Sequence, residues 1–360
     1  MLKLIARGLL GLLIIVVVAA VAAFGYRAWR QHEGEKALVI SSPNGIDEAI
    51  FVPINGTEQW IAIRGQDRRK PVLLIVSGGP GFSTYPAMTR FLPYEKDYVV
   101  VHWDQPGTAK TFARAGNRLP PDTKVNDYVT DGIAVTEYLK THLHKDKVIV
   151  LGWSWGSMVG IEMVRARPDL FSAYVGTGQE VNQPRGEKIV YQSVLAEARR
   201  RGAKQAVEEL EAIGPPPYGS SSEVRIQRVW AMRFEGTGLE FFLSLILLAP
   251  RYSLGDELSW VRGVLASGDV LVGSDMKGPM TQVDFAAESL TFQVPIFVIH
   301  GAEDCWVPAE LARAWVESLS APVKEFIPME GAAHFALMLH SDEFVKIMNE
   351  RLRPLTSVSE

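Results

Sequence analysis

Val148-Ile149-Val150-Leu151-Gly152-Trp153-Ser154-Trp155-Gly156-Ser157 is the stretch whose reading decides the fold of this chain. Its first four residues are apolar and mostly β-branched and predict a buried strand. Ser157-Met158-Val159-Gly160-Ile161-Glu162-Met163-Val164-Arg165 predicts a helix that stops near Pro168. Between strand and helix lies Gly-x-Ser-x-Gly. So tight a turn forces the Ser154 backbone into a strained region and crowds the positions two residues to either side, where Gly152 and Gly156 carry no side chain. The Ser154 hydroxyl then stands clear of the sheet, and the backbone N–H groups that follow point at whatever it attacks. The bare pattern is a weak signal; a strand before it and a helix after it make it strong.

Outward from this elbow, strands alternate with helices. Upstream, Ala49–Ile54 and Gln59–Arg64 flank Asn55-Gly56, a hairpin signal. The apolar run Pro71–Val76 leads straight into Ser77-Gly78-Gly79-Pro80-Gly81, a loop whose backbone can come close to a ligand. If Ser154 is a nucleophile, the Trp155 N–H is the expected first oxyanion donor and the Gly79 N–H the second. Tyr98–His102 is a further strand and Asp104-Gln105-Pro106-Gly107 a turn; His102, which precedes the serine in the chain, reads as a structural histidine. A helix is expected from Val125 to His144 and a strand over Phe171–Gly176, which together imply a mostly parallel sheet covered on both faces.

From 180 to 290 the alternation stops and an inserted helical cap is expected, with helices over Glu187–Ile213, Glu223–Phe234 and Asp256–Leu265. Leu239–Leu248, about half the length of a membrane span, reads mainly as a core helix of that insertion, with the lining of a substrate pocket as a further role. The sheet resumes at Pro295–Gly301. A helix over Leu311–Leu319, a last strand over Val323–Ile327 and a closing helix over Phe335–Leu352 follow. Asp304 and His334 both fall just past the carboxyl ends of strands, the edge where open α/β sheets place their chemistry.

Serine, acid, histidine in that order, each after a strand, is the chain order of an α/β-hydrolase triad. Ser154 would attack a carbonyl, His334 would take and return its proton, and Asp304 would hold the imidazole. Glu303 and His340 are the competing acid and base.

With 37 basic and 41 acidic residues and a net charge of -4, the chain carries no electrostatic support for nucleic-acid binding. Its single cysteine, Cys305, excludes an internal disulfide framework and offers no metal-site spacing; no metal or cofactor is expected. Gly8 to Tyr26 is nearly all apolar and, at about 19 residues, just long enough to cross a bilayer. It reads either as an uncleaved anchor, with the catalytic domain outside the cytoplasm, or as a signal peptide cut near Val21-Ala22-Ala23 and leaving a secreted or periplasmic enzyme. The expected organisation is a membrane or signal segment over 1–30, a polar linker over 31–45, core over 46–179, cap over 180–290 and core over 291–360.

The chain also resembles the proline iminopeptidase family, α/β-hydrolase aminopeptidases with a helical cap. The likeness rests on Gly78-Gly79-Pro80-Gly81, Asp104-Gln105-Pro106-Gly107, Gly152-Trp153-Ser154-Trp155-Gly156-Ser157, Gly301-Ala302-Glu303-Asp304 and the His334 loop, and covers roughly residues 46 to 353. It implies an α/β-hydrolase fold with a helical cap, an oxyanion hole at Gly79 and Trp155, and release of an N-terminal residue from a peptide. It also implies cap carboxylates that hold the substrate's free amine, for which Glu180 and Glu187 are the candidate counterparts at the start of the cap, although surface glutamates are common and an ordinary surface position is the favoured reading for both. Two positions depart from the family: Ser77 stands where its members usually have histidine, and Pro106 where they have arginine. The expected activity is that of a serine aminopeptidase. A carboxylesterase or amidase, or a catalytically silent binding protein, are the alternatives.

Overall fold

The computed structural model describes residues 2–287 and 290–356. Met1, Glu288, Ser289 and residues 357–360 lie outside them, and with them the outer ends of the segments expected over 1–30 and 291–360.

The chain begins with α1 (Leu2–Ala37), one continuous helix. Two antiparallel strands follow, β1 (Ile46–Ile54) and β2 (Thr57–Gly65), joined at Asn55 and Gly56, whose φ of 45° and 83° are what a two-residue hairpin turn demands. Then come β3 (Val72–Val76), β4 (Val99–Asp104), the short α2 (Ala109–Arg114), α3 (Val125–Leu143), β5 (Val148–Trp153), α4 (Trp155–Ala166) and β6 (Phe171–Thr177). Five cap helices are inserted next: α5 (Gln183–Arg200), α6 (Lys204–Ile213), α7 (Ser221–Glu235), α8 (Leu239–Leu247) and α9 (Leu254–Leu271). The core resumes with β7 (Ile296–Gly301), α10 (Ala309–Ser318), β8 (Lys324–Met329), α11 (Ala336–Leu339) and α12 (Ser341–Thr356).

Among the described residues the strands make one eight-stranded sheet in the order β1-β2-β4-β3-β5-β6-β7-β8. Only the β1/β2 and β2/β4 pairs are antiparallel. This is the mostly parallel sheet expected, and its central strands are apolar on both faces because both faces are covered. Alternate residues part to opposite sides: Leu74, Val76, Val101 and Val150 pack with α3, α4 and α10, while Leu73, Ile75, Val100 and Leu151 pack with α11, α12 and the cap.

Several elements differ from the expectation. The helix expected over Glu187–Ile213 is two, α5 and α6, parted at Gly202 with φ 64°. The closing helix is also two, broken at His340. Residues 31–37, expected as linker, continue α1 and dock on the cap: Gln31 Nε2 donates to the carbonyls of Ala249 (2.8 Å) and Tyr252 (2.9 Å), and Arg27 pairs with Glu257 at 2.6 Å. Composition could not show this, because the polar residues of that stretch bond to a segment more than two hundred residues away. Nor is Leu239–Leu247 a buried core helix. Leu245 and Ile246 are buried, whereas Leu239, Leu243 and Leu247 are exposed. An apolar sequence reports the wish to be covered, not the presence of a cover.

Candidate active site

The elbow is built as its glycines require. β5 ends at Trp153, Ser154 has φ 54° and ψ −124°, and α4 starts at Trp155. A Cβ on Gly156 would lie 1.9 Å from the Val76 carbonyl oxygen, and one on Gly152 would lie 2.8 Å from the Gly156 oxygen, so neither position admits a side chain. Hydrogen bonds hold the strained residue in place: the Ser154 N–H donates to the Thr177 carbonyl (3.0 Å), and the Ser154 carbonyl accepts from the Ser157 N–H (2.8 Å) and hydroxyl (2.6 Å). The Ser154 side of the turn faces a cavity of about 570 Å³ between core and cap.

Asp304 follows β7 and His334 follows β8, and the sheet brings them together with His334 Nδ1 2.9 Å from Asp304 Oδ2. The other carboxylate oxygen accepts from the backbone N–H groups of Trp306 (2.8 Å) and Val307 (2.9 Å). His300, in β7, adds a third partner. Its Nδ1 accepts from the Gln179 N–H at 3.3 Å, so its proton sits on Nε2, which faces the Val307 carbonyl at 3.1 Å and Asp304 Oδ2 at 3.3 Å. Burial alone would raise the Asp304 carboxyl; His334 and His300 outweigh it and hold the group well below the usual carboxylate range. An anion fixed there can orient the His334 ring through Nδ1 and leave Nε2 able to exchange a proton. Trp306 stacks on that ring at 5.0 Å and 7°, and the His334 carbonyl accepts from Trp153 Nε1 at 3.0 Å.

The competing residues are placed elsewhere. Glu303 is exposed, and His340 ends α11 outside the cavity lining. His102 is buried against Thr84 Oγ1 (2.9 Å), and burial pulls its imidazole down to about 3, which keeps it neutral. Gly79 lines the cavity with φ 125°, and a Cβ there would meet the Gly81 nitrogen at 2.6 Å. The Trp155 N–H heads α4, where no helix carbonyl can pair with it. Gln105 ties the two together: its amide donates to the Ser77 carbonyl (3.1 Å) and accepts from Trp155 Nε1 (3.0 Å).

Glu180 and Glu187 are not surface residues; both are buried and both line the cavity. Their states differ. Glu187 has both oxygens engaged, one by Arg228 and one by Gln227 Nε2 at 2.9 Å. Among the described residues Glu180 has no such ion pair: Arg228, whose charge it feels, is already held by Glu187 and by the Trp306 carbonyl at 2.9 Å. Burial pushes the Glu180 carboxyl up to about 8, although Arg228 opposes this. From the ordinary 4.5 to about 8, the folded protein therefore keeps a proton that the unfolded chain has released, and stability falls as pH rises through that window. Glu180→Gln abolishes this contribution. Its melting temperature relative to wild type should rise between pH 5 and pH 8.5; a constant difference across that range would show that Glu180 is ionised in the fold.

Four contributors were not singled out from sequence. His300 leaves a trace there, a histidine inside an otherwise apolar strand. Arg228, Trp306 and Glu235 leave none, since each acts across the cap–core boundary. Glu235 ends α7 and accepts from the Cys305 N–H at 2.5 Å beside Asp304; burial pushes its carboxyl up to about 8. Among the described residues no group of three His, Cys, Asp or Glu side chains is placed to hold a metal ion.

Comparison with known proteins agrees with this architecture. A relative from Bacillus subtilis named probable aminopeptidase YbaC is 28% identical over 291 residues, 78% of this chain and 88% of its own. Proline iminopeptidase of Mycobacterium smegmatis superposes with a TM-score of 0.60 at 19% identity, covering 87% of this chain and all of that one (100%). A membrane phospholipase A superposes at 0.56 and 16% identity, covering 97% and 99%. At such identities the two structures speak for the fold alone. Residues 72–347 match the family described as the alpha/beta hydrolase family, and the chain belongs to it.

Proposed function

We propose that the chain is a serine hydrolase working through an acyl-enzyme, with Ser154 as nucleophile, His334 as general base and acid, and Asp304 as the anion that orients it. Ser154 Oγ attacks the substrate carbonyl while His334 Nε2 takes its proton. The oxyanion is stabilised by the Gly79 and Trp155 N–H groups; the proton passes to the leaving group, and water then releases the acyl group by the same steps. The observation that carries this reading is the 2.9 Å Asp304–His334 pair on the same cavity as the strained Ser154.

For the substrate we propose a free amino terminus, held by Glu180. A buried carboxyl without its own cation ionises when an ammonium group arrives, and each charge then offsets the other's desolvation. The aminopeptidase name of the Bacillus relative supports the same choice. Aminoacyl arylamides with a free amine, proline among them, should be cleaved and their N-acetylated counterparts not. A second reading, hydrolysis of apolar acyl esters, is favoured by the cavity wall, where Phe82, Trp153, Phe242, Trp260, Trp306 and Phe335 far outweigh the charged groups. Equal rates on free and acetylated amines, or hydrolysis confined to simple esters, would decide for it.

We further propose that α1 is an uncleaved anchor with the catalytic domain outside the cytoplasm. Among the described residues, Arg7–Ala37 is the helix long and apolar enough to cross a membrane, and its apolar window is unburied. Protease added to spheroplasts should then digest the domain. A protected domain would reverse the orientation, and a mature chain starting near Phe24 would make the segment a signal peptide.

A further inference from the structure

The cap carries an apolar face that points away from the protein. On α9, Leu254, Leu258, Val261 and Leu265 are 51%, 50%, 43% and 64% exposed, and their spacing puts them on one stripe. On α8, Leu239, Leu243 and Leu247 form a second stripe at four-residue spacing, 70%, 43% and 43% exposed. A soluble cap would turn these faces inward; contiguous apolar surface of this kind marks an interaction site.

Where the face lies says what covers it. A groove of about 440 Å³ is lined by Ala23, Phe24 and Tyr26 of α1 together with Leu243, Leu247 and Leu254 of the cap. The apolar run of α1 ends at Phe24, and Tyr26, Arg27, Trp29 and Arg30 follow, the aromatic and basic composition of a bilayer boundary. The Arg27–Glu257 pair and the Gln31 hydrogen bonds fix the cap at that height along α1. A bilayer crossed by α1 therefore meets both stripes where Leu243, Leu247 and Leu254 line that groove. The stripes also reach the chemistry: Leu239, Leu243 and Val261 stand in the wall of the catalytic cavity as well as on the exposed face.

We propose that the exposed face of α8 and α9 rests in the lipid bilayer beside α1, and that the catalytic cavity fills from the membrane, taking the apolar chain of a bilayer-partitioned amphiphile. The docking stands on the surface and on α1 as an anchor; the filling rests on the serine hydrolase reading, whichever acyl linkage is cut. An interfacial helix pair of this kind buries its apolar side at the headgroup boundary.

Two measurements on the full chain in lipid nanodiscs test it. A fluorophore at Leu265→Cys, with Cys305→Ala in the background, should be quenched by lipids spin-labelled on the acyl chain. One at Glu317→Cys on α10, across the sheet from the cap, should not. An unquenched label at 265, or one that crosslinks to a second copy of the chain instead, overturns the docking. The second measurement uses alkyl fluorophosphonates, in which Ser154 Oγ attacks phosphorus, the P–F bond breaks, fluoride leaves and His334 takes the serine proton. A long-chain probe held in the bilayer should label Ser154 about tenfold more slowly in Leu258→Asp/Leu265→Asp than in wild type, while a short water-soluble probe labels both within about twofold. Equal effects on the two probes, or none on either, overturn the filling. Failure of the short probe on wild type would instead overturn the hydrolase reading, with the quenching result unaffected.

Discussion

Ser154→Ala, Asp304→Asn and His334→Ala are each expected to lower kcat/KM by at least about a thousandfold on any substrate the wild type turns over, and pairs of these changes should add little more. Members of such a unit act together, so removing one forfeits most of what all three supply. The structure separates the three in another respect. Ser154→Ala removes a hydroxyl from a cavity wall and leaves the Ser154 backbone bonds to Thr177 and Ser157 intact, so its unfolding should match wild type. Asp304→Asn leaves one oxygen to accept the Trp306 and Val307 N–H groups but puts an amide donor where Oδ2 faces both His334 and His300, so it should lose stability as well as rate. Steady-state rates with thermal unfolding on the same samples check both statements, and a Ser154→Ala variant with near wild-type turnover would end the serine mechanism.

The second large effect lies far from the chemistry. Arg64→Ala is expected to cost about 3–5 kcal/mol, because it leaves Glu95 charged and unpaired inside the protein. Arg64 is fully buried. It reaches Glu95 at 2.8 Å, Asp47 at 2.5 Å and the Leu38 carbonyl at 2.7 Å, so it ties the end of α1 to the edge of the sheet. Burial raises the Glu95 carboxyl even with the guanidinium beside it; replacing a buried ion pair by apolar residues is often neutral, whereas breaking one is costly. Arg64→Met with Glu95→Leu should therefore recover much of the loss. Urea midpoints of the single and double variants give the comparison; a double variant less stable than Arg64→Ala would show that the charges are net stabilising.

Much of the fold was legible in the sequence because its signals are local. A glycine pair around Ser154, an Asn-Gly turn between two alternating runs, and apolar strands followed by amphipathic helices each report a backbone preference that neighbours in the chain can satisfy. Helix ends were less legible. Gly202 and His340 interrupt runs whose periodicity continues across the break; Gly202 permits a turn by its positive φ, and tertiary packing decides that the chain takes it.

For the site, residue type and chain order singled out Ser154, Asp304 and His334 as candidates, since each follows a strand and a parallel sheet gathers such positions on one edge. The 2.9 Å between Asp304 and His334, the His300 ring beside Asp304, and the Trp306 ring stacked on His334 are tertiary facts. Glu180 and Glu187 show the limit most clearly. Their sequence is equally that of two surface glutamates, and burial, the Arg228 pairing of one and the raised carboxyl of the other come from where the cap folds over the core. The apolar run of α8 is the same case in reverse, its composition evident in sequence and its outward face decided by how the cap packs. Charge state and exposure depend on what lies within a few ångströms in space, and chain neighbours supply only part of that surrounding.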